Sequence, residues 1–266
     1  MVKGLYTAWT GMLNEQNRLD VLSNNLANTN TAGYKKEGTT VHPFKQELAY
    51  KIKDKTTVNY ADGLGYINAG VKIGENYVDY SQGSFKVTDN ATDVALSGDG
   101  FFAIEFTSKD GETSIKYTRD GQFKLTTDGY LVTQDGDYVL NRAGALASRT
   151  GQASYIQLDP TQEISIDQFG NIYQNDQLVA QIGVVDFADY DYLERYGENM
   201  YNLLDGGVVQ ASDATVEQGA VEMSNVETVS EMVEMITIQR AYESNQKAIQ
   251  TIDGMVEIAV NQVGKL

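Results

Sequence analysis

The segment SNVETVSEMVEMITIQRAYESNQKAIQTIDGMVEIAVNQVGKL, from Ser224 to Leu266, decides the fold. Met232, Met235, Tyr242, Ile249, Val256, Val260 and Val263 lie on alternating steps of three and four, with Gln239, Gln246 and Asp253 in the remaining slots. A second stripe runs beside them through Val229, Val233, Ile236, Ala248, Ile252, Met255 and Ala259. This is a helical period near 3.5, with an apolar seam wide enough for more than one neighbour. Ser224 with Glu227 three residues on predicts a capping box at the helix start. No proline interrupts the run, and Gly254 is its only weak point. Helical throughout, it is about 60 Å long. That exceeds an ordinary globular helix and points to a coiled coil or an assembly element.

Working outward, the other end of the chain mirrors this one. Over residues 3–27, Leu5, Trp9, Met12, Leu19 and Leu26 keep heptad spacing, with Gln16 and Ser23 between and Leu13 and Leu22 widening the stripe. Asn28 and Asn30 are placed to stop that helix, and Gly33 to supply a left-handed exit. The two end helices most simply pair with each other. Two helices alone cannot bury stripes on several sides, so the surplus apolar surface predicts neighbouring subunits. Without such partners, amphipathic end segments are marginal and are expected to be largely unfolded.

Between the ends the pattern is β. Residues 34–80 read as extended arms or short strands, with alternating Val71, Ile73, Tyr77 and Tyr80. Lys35, Lys36, Lys45, Lys51, Lys53 and Lys55 make a basic run that reads as solvated loop surface. Residues 81–204 carry short strand-like runs: FFAIEF, SIKYT, QFKL, YLVT, YVL, ISI, NIYQ and LVAQIGVVDF. Asp-Gly pairs at 99–100, 110–111, 120–121, 128–129 and 135–136 suit tight hairpin turns. The interval near eight residues between Gly121, Gly129 and Gly136 predicts a meander. Residues 205–223 return to glycine and small polar residues and read as a connector. The fold class is therefore α+β. Long terminal helices (1–33 with 224–266) form a coiled-coil-like domain, 34–80 with 205–223 are extended connectors, and 81–204 is a mainly antiparallel β-domain.

Composition narrows the function. The chain has 266 residues and a net charge of −17, which repels phosphate backbones and disfavours nucleic acid. There is no cysteine, so disulfides and thiolate chemistry are absent, and one histidine, His42, cannot build a His cluster. No apolar run is long enough to insert in a membrane. The N-terminus reads as amphipathic rather than as a secretory signal, so export, if it occurs, cleaves nothing. Carboxylate pairs such as Asp135 with Asp137 and Asp89 with Asp93 could in principle serve a glycosidase. Turn geometry explains most of these acids. No EF-hand, Walker A or dinucleotide spacing is present, and Gly63-Leu64-Gly65 stops short of a third glycine. No catalytic, cofactor-binding or metal residue is assigned. The 17 tyrosines suit repeated protein contacts.

Three motifs carry a family resemblance. GLYTAWTGM (4–12) with NRLDVLSNNLANTNTAGYKK (17–36) resembles the N-terminal signature of bacterial flagellar rod and hook proteins. SNVETVSEMVEMITIQRAYESNQKAIQTIDGM (224–255) resembles their C-terminal signature. DVALSGDGFFAIE (93–105) and YTRDGQFKLTTDGYLVTQDG (117–136) resemble their β-domain core. The resemblance implies a non-enzymatic structural subunit of the flagellar basal body. It would polymerise with itself into a helical, hollow, torque-transmitting shaft around the export channel. It also implies contacts with other rod proteins and the hook protein, passage through the flagellar type III export apparatus, and surrounding ring proteins.

Asn24, Asn25, Leu26, Asn28, Thr31 and Gly33 match the first signature. Asn225, Val226, Gln239, Arg240, Ala241, Tyr242 and Asn245 match the second. With Leu5, Trp9, Met12, Leu19, Met232, Met235, Ile249 and Val256 from the seams, most of these are the expected subunit contacts. Arg240 is expected to pair with a carboxylate on a neighbouring helix. The length resembles that of distal-rod members or their proximal paralogues rather than hook proteins, and GLGYINAGVKI (63–73) resembles a segment of the distal ones. A proximal-rod or hook paralogue is the near alternative, and an extracellular carbohydrate-binding or carbohydrate-cleaving β-domain the distant one. Trp9 and Tyr34 depart from the family pattern, and 45–63 matches only loosely.

Overall fold

Seven-residue periodicity at both ends of the chain becomes two long helices, Val2–Ala27 and Thr228–Ile258, the second closing on a π-helical turn at Ala259–Val263. The computed structural model describes every residue except 1, 53–60, 69, 110, 149, 198 and 264–266. Lys53 and Lys55 of the basic run and Asp110 of one Asp-Gly pair therefore lie outside it, as does the Val263 side chain. The fold is α+β and divides into two units: Met1–Ala27 with Glu37–Asp79 and Glu227–Leu266, and Asn28–Lys36 with Tyr80–Val226.

In the first unit the helices lie side by side and antiparallel. Gly4 meets Ile252 and Gly11 meets Asn245. Arg18 bonds Glu234 at 2.9 Å, and Asn25 reaches Glu231 at 3.4 Å. The N-terminal partners recur every seven residues. The face that meets the partner helix is thus Gly4, Ala8, Gly11, Arg18, Leu22 and Asn25, one position away from the apolar seam read in sequence. The reason is size: glycine and alanine let backbones approach closely. Ala8, Leu22 and Ile238 are buried. Met12, Leu19, Leu26, Met235, Tyr242 and Ile249 flank the contact half-buried.

The expected capping box is absent. Glu227 is the N-cap and makes no side-chain cap bond, while the Ser224 hydroxyl accepts from the Val226 N–H at 3.2 Å, one turn earlier. Within 37–52 and 61–78 lie two antiparallel ribbons, in line with the short strands read there. β1 (Glu37–Pro43) pairs β4 (Val71–Val78), and β2 (Glu47–Ile52) pairs β3 (Ala61–Ile67). Gly70 is buried against Thr10 of the first helix, where a side chain would strike the Thr10 hydroxyl.

The second unit holds the remaining strands: β5 (Phe85–Val87), β6 (Val94–Ser97), β7 (Phe101–Thr107), β8 (Thr113–Thr118), β9 (Lys124–Leu125), β10 (Leu131–Val132), β11 (Tyr138–Val139), β12 (Ser165–Ile166), β13 (Asn171–Gln174), β14 (Gln177–Gln181), β15 (Val184–Phe187), β16 (Leu193–Tyr196), β17 (Met200–Leu203), β18 (Val209–Ala211), β19 (Thr215–Gln218) and β20 (Ala220–Glu222). A nine-stranded antiparallel sheet runs β16-β17-β8-β7-β11-β10-β9, with β15 bridging β7 to β18. The β9-β10-β11 run is the meander read from glycine spacing. β12-β13-β14 form a separate sheet, and β19 and β20 pair back onto β6 and β5. The run LVAQIGVVDF is two strands rather than one. It breaks at Ile182-Gly183, where a side chain on Gly183 would press on Ala145 and the Leu140 carbonyl. Val94, Leu96, Phe102, Ile104, Phe123, Ile156, Ile172 and Ile182 make the core.

Two of the Asp-Gly pairs, at 128–129 and 135–136, lie in tight hairpin turns of three residues. At 126–130 and 133–137 the chain closes a three-residue loop, with the Gly129 and Gly136 N–H groups bonding back to Thr126 and Thr133. Both glycines have positive φ. A three-residue loop ending on a left-handed glycine is the next most common hairpin connection after the two-residue turns.

Candidate assembly surface

The residues singled out in sequence fall into two groups. Some lock each unit together. The Asn25 side chain is buried and acts as a strand partner: its amide donates to the Glu37 carbonyl at 2.8 Å, and its oxygen accepts from the Glu37 N–H at 3.0 Å. Asn225 does the same in the other unit, accepting from the Lys36 N–H at 2.7 Å and donating to Ser81. Val226 and Gly33 are buried, and the Asn245 amide packs over Gly11. Asn28 accepts from Thr31 and starts the turn after the first helix, and Gly33, at φ +68, ends it.

The other group faces solvent. Trp9 and Met232 are each 51% exposed, and Leu5, Asn24, Gln239, Arg240 and Val256 are exposed too. So are Tyr6, Leu13, Val229, Val233 and Ile236. The N-terminal helix therefore spends its small-residue face on the other, and each helix leaves a large apolar stripe in water. Contiguous exposed apolar surface of this kind marks an interaction site.

Sequence reasoning missed a buried ionic knot. Lys35 was read as part of a solvated basic surface, but it is buried. Its Nζ lies 2.7 Å from Glu222 Oε1 and donates to the Ser81 carbonyl. The same carboxylate accepts from the Gly83 N–H at 2.9 Å and from Arg119 at 3.2 Å. The Glu222 carbonyl accepts from the Gly33 N–H. Glu222 therefore fastens the segment after the first helix, the strand before the second, and the β-sheet. Partners far along the chain, the acid 187 residues away above all, make Lys35 a core residue, and no local pattern signals that.

Among the described residues, Asp120 is the acid whose titration burial moves furthest. Its carboxylate accepts from the Gln122 N–H at 3.0 Å and from the Asn199 amide at 3.1 Å. Burial, reinforced by Asp135 and Asp93, pushes it up to about 6. The folded state thus holds this proton more tightly than the unfolded chain, whose value is about 3.9. Stability is therefore undiminished below about pH 4, falls as pH rises to about 6, and is level above. We expect Asp120→Asn to remove that slope and raise stability at pH 7 by about 1–2 kcal/mol, somewhat less than the full shift at 1.36 kcal/mol per unit. Urea unfolding of both chains at pH 4.5 and 7.5 checks this, and equal slopes in the two chains would refute it. Among the described residues, no group of three or more acids or histidines is placed to hold a metal, and no helix is long and apolar enough to cross a membrane.

β-structure joined to long end helices whose apolar stripes are open is the build of a structural protein of the assembly kind. The comparisons agree. The family described as flagella basal body rod protein matches residues 5–35, the flagellar hook protein FlgE/F/G D1 domain matches 95–174, and the flagellar basal body rod FlgEFG protein C-terminal family matches 217–262. The chain is 34% identical to the flagellar basal-body rod protein FlgG of Bacillus subtilis, over 98% of this chain and 99% of that one. It is 33% identical to FlgG of Borreliella burgdorferi over 98% of each chain, and 31% identical to the flagellar basal-body rod protein FlgF of Caulobacter vibrioides over the whole of both. The chain belongs to the flagellar basal-body rod protein family.

Proposed function

We propose that this protein is a structural subunit of the bacterial flagellar basal-body rod, at its distal part, polymerising helically into a hollow shaft around the export channel. The observation that carries this reading is the pair of terminal helices with unburied apolar stripes, in a chain matched end to end by rod proteins. FlgG relatives and the stretch 63–73 support the distal position. Burial of the stripes between subunits would supply the cohesion, about 25 cal/mol for each Å² removed from water. The terminal helices would then form a coiled-coil-like layer, with neighbouring copies, other rod proteins and the hook protein as partners. Leu5, Trp9, Met232 and Val256 would lie in those contacts, while Asn25, Asn225 and Gly33 would set the frame that presents them. Export through the flagellar type III apparatus and contact with surrounding ring proteins follow from the same reading.

Sedimentation against concentration, with circular dichroism alongside, tests it on the full chain. The expected result is growth of large oligomers with a gain in helix. A chain that stays monomeric at high concentration, with all its helix already formed, would overturn it.

A further inference from the structure

We infer that Asp20 of one copy pairs with Arg240 of a neighbouring copy, and that this charge pair sets the lateral register of the terminal helices. The inference rests on the rod reading above and goes beyond it by naming the contact. Within the chain the two helices meet through residues such as Gly11, Arg18, Ile238 and Asn245. Residues two positions from Arg18 and Ile238 stand about 200° round each helix. Asp20 and Arg240 occupy those places. Each is exposed, on the side of its helix turned away from the other helix. Neither has an ion pair among the described residues. Asp20 has no cation three or four residues away on its own helix, and Arg18, two residues before it, is turned to the other helix. Arg240 has Glu243 three residues on, yet does not bond it.

The two backs differ, so a contact between them is not self-complementary. The back of the N-terminal helix carries exposed Trp9 and Leu13 and an acid. The back of the C-terminal helix carries exposed Val233 and Ile236 and two cations, Arg240 and Lys247, against one acid, Glu243, so its balance is positive. Surfaces of this kind join head to tail and build rings or open helices rather than closed dimers. The occupant is therefore a second copy of this chain, argued from opposite charge on opposite faces.

The register agrees. The contacts of Gly4 with Ile252, Gly11 with Asn245 and Asn25 with Glu231 put Arg240 level with Gln16 and Lys247 level with Trp9. Asp20 is then about 6 Å further along the axis, within the span of an arginine side chain. A neighbour placed with little axial stagger makes this pair and sets Lys247 over the Trp9 ring, where a cation is favoured.

Charge reversal tests the pair. Asp20→Arg sets two cations against each other at every contact, and Arg240→Asp two anions. Each is expected to raise the concentration needed for polymerisation by about tenfold or more, as like charges juxtaposed at an interface do. The double variant Asp20→Arg with Arg240→Asp restores opposite charges and is expected to return close to the wild type. Circular dichroism melts of the unassembled chains verify that all four fold alike. Single variants that assemble normally, or a double variant no better than the worse single one, overturn the pairing. Wild-type chains that never polymerise overturn the rod reading itself.

Discussion

Replacing Glu222 with alanine is expected to remove about 3–5 kcal/mol from the β-domain, the usual result of breaking a buried ion pair by deleting one partner. The carboxylate is wholly buried and is bonded to two buried cations, Lys35 and Arg119. Arg119 already leaves its Nε without a hydrogen bond. Its remaining anchor is the Gly98 carbonyl, at 2.8 Å, with the guanidinium over the Phe101 ring. With the acid gone, two positive charges would stay in a site closed to water. Glu222→Gln keeps an acceptor for the Gly83 N–H and is expected to cost less than alanine. Removing all three charges together, as Lys35→Met, Arg119→Met and Glu222→Leu, leaves no buried charge and is also expected to cost less than Glu222→Ala alone. Urea unfolding followed by far-ultraviolet circular dichroism ranks the four chains. A triple variant weaker than Glu222→Ala would mean that the ions hold the fold together by net attraction rather than by mutual compensation.

That knot also marks the boundary of what sequence alone makes legible. Helices are written locally, in spacing. Val2–Ala27 lies within a residue of the bounds that periodicity draws, and Thr228–Ile258 with the turn at Ala259–Val263 fills most of the C-terminal run. The strands at Phe101–Thr107, Thr113–Thr118 and Asn171–Gln174 follow in the same way from alternation and turn residues. Contacts between distant segments are not written locally. Hydrophobicity marks Leu5, Trp9 and Met232 as a seam, yet the helices meet through Gly4 and Gly11, because closeness of approach depends on what is small. Hydrophobic periodicity identifies a sticky face without saying whether the partner is in the same chain. Lysine reads as surface until a carboxylate far along the sequence is brought to it. The capping box failed for a related reason. Ser224 is held in a buried turn with Val226, so the helix begins after it rather than on it.

The second large effect lies at Gly121, where Gly121→Ala is expected to cost more than about 4 kcal/mol, an exceptional value for so small a change. In sequence Asp120-Gly121 looks like Asp135-Gly136, one more turn of the same meander. The structure separates them. Gly136 has φ +98 and nothing near the place a side chain would occupy. Its requirement is conformational, and alanine there is expected to cost about 1–2 kcal/mol, the strain of a left-handed residue. Gly121 is not among the positive-φ glycines. It needs to be glycine because a Cβ would overlap the backbone carbonyl of Val94, with the Phe102 ring at 3.2 Å behind. Val94 is wholly buried, and its N–H bonds the Gly121 carbonyl at 3.0 Å. Neither partner is the far end of a flexible side chain, so relief requires β6 to leave the core and its pairing with β19 to loosen. Urea midpoints of Gly121→Ala and Gly136→Ala, measured at one pH, check the order. Equal losses would show that both glycines serve the turn alone, and that the close approach of Val94 yields without cost.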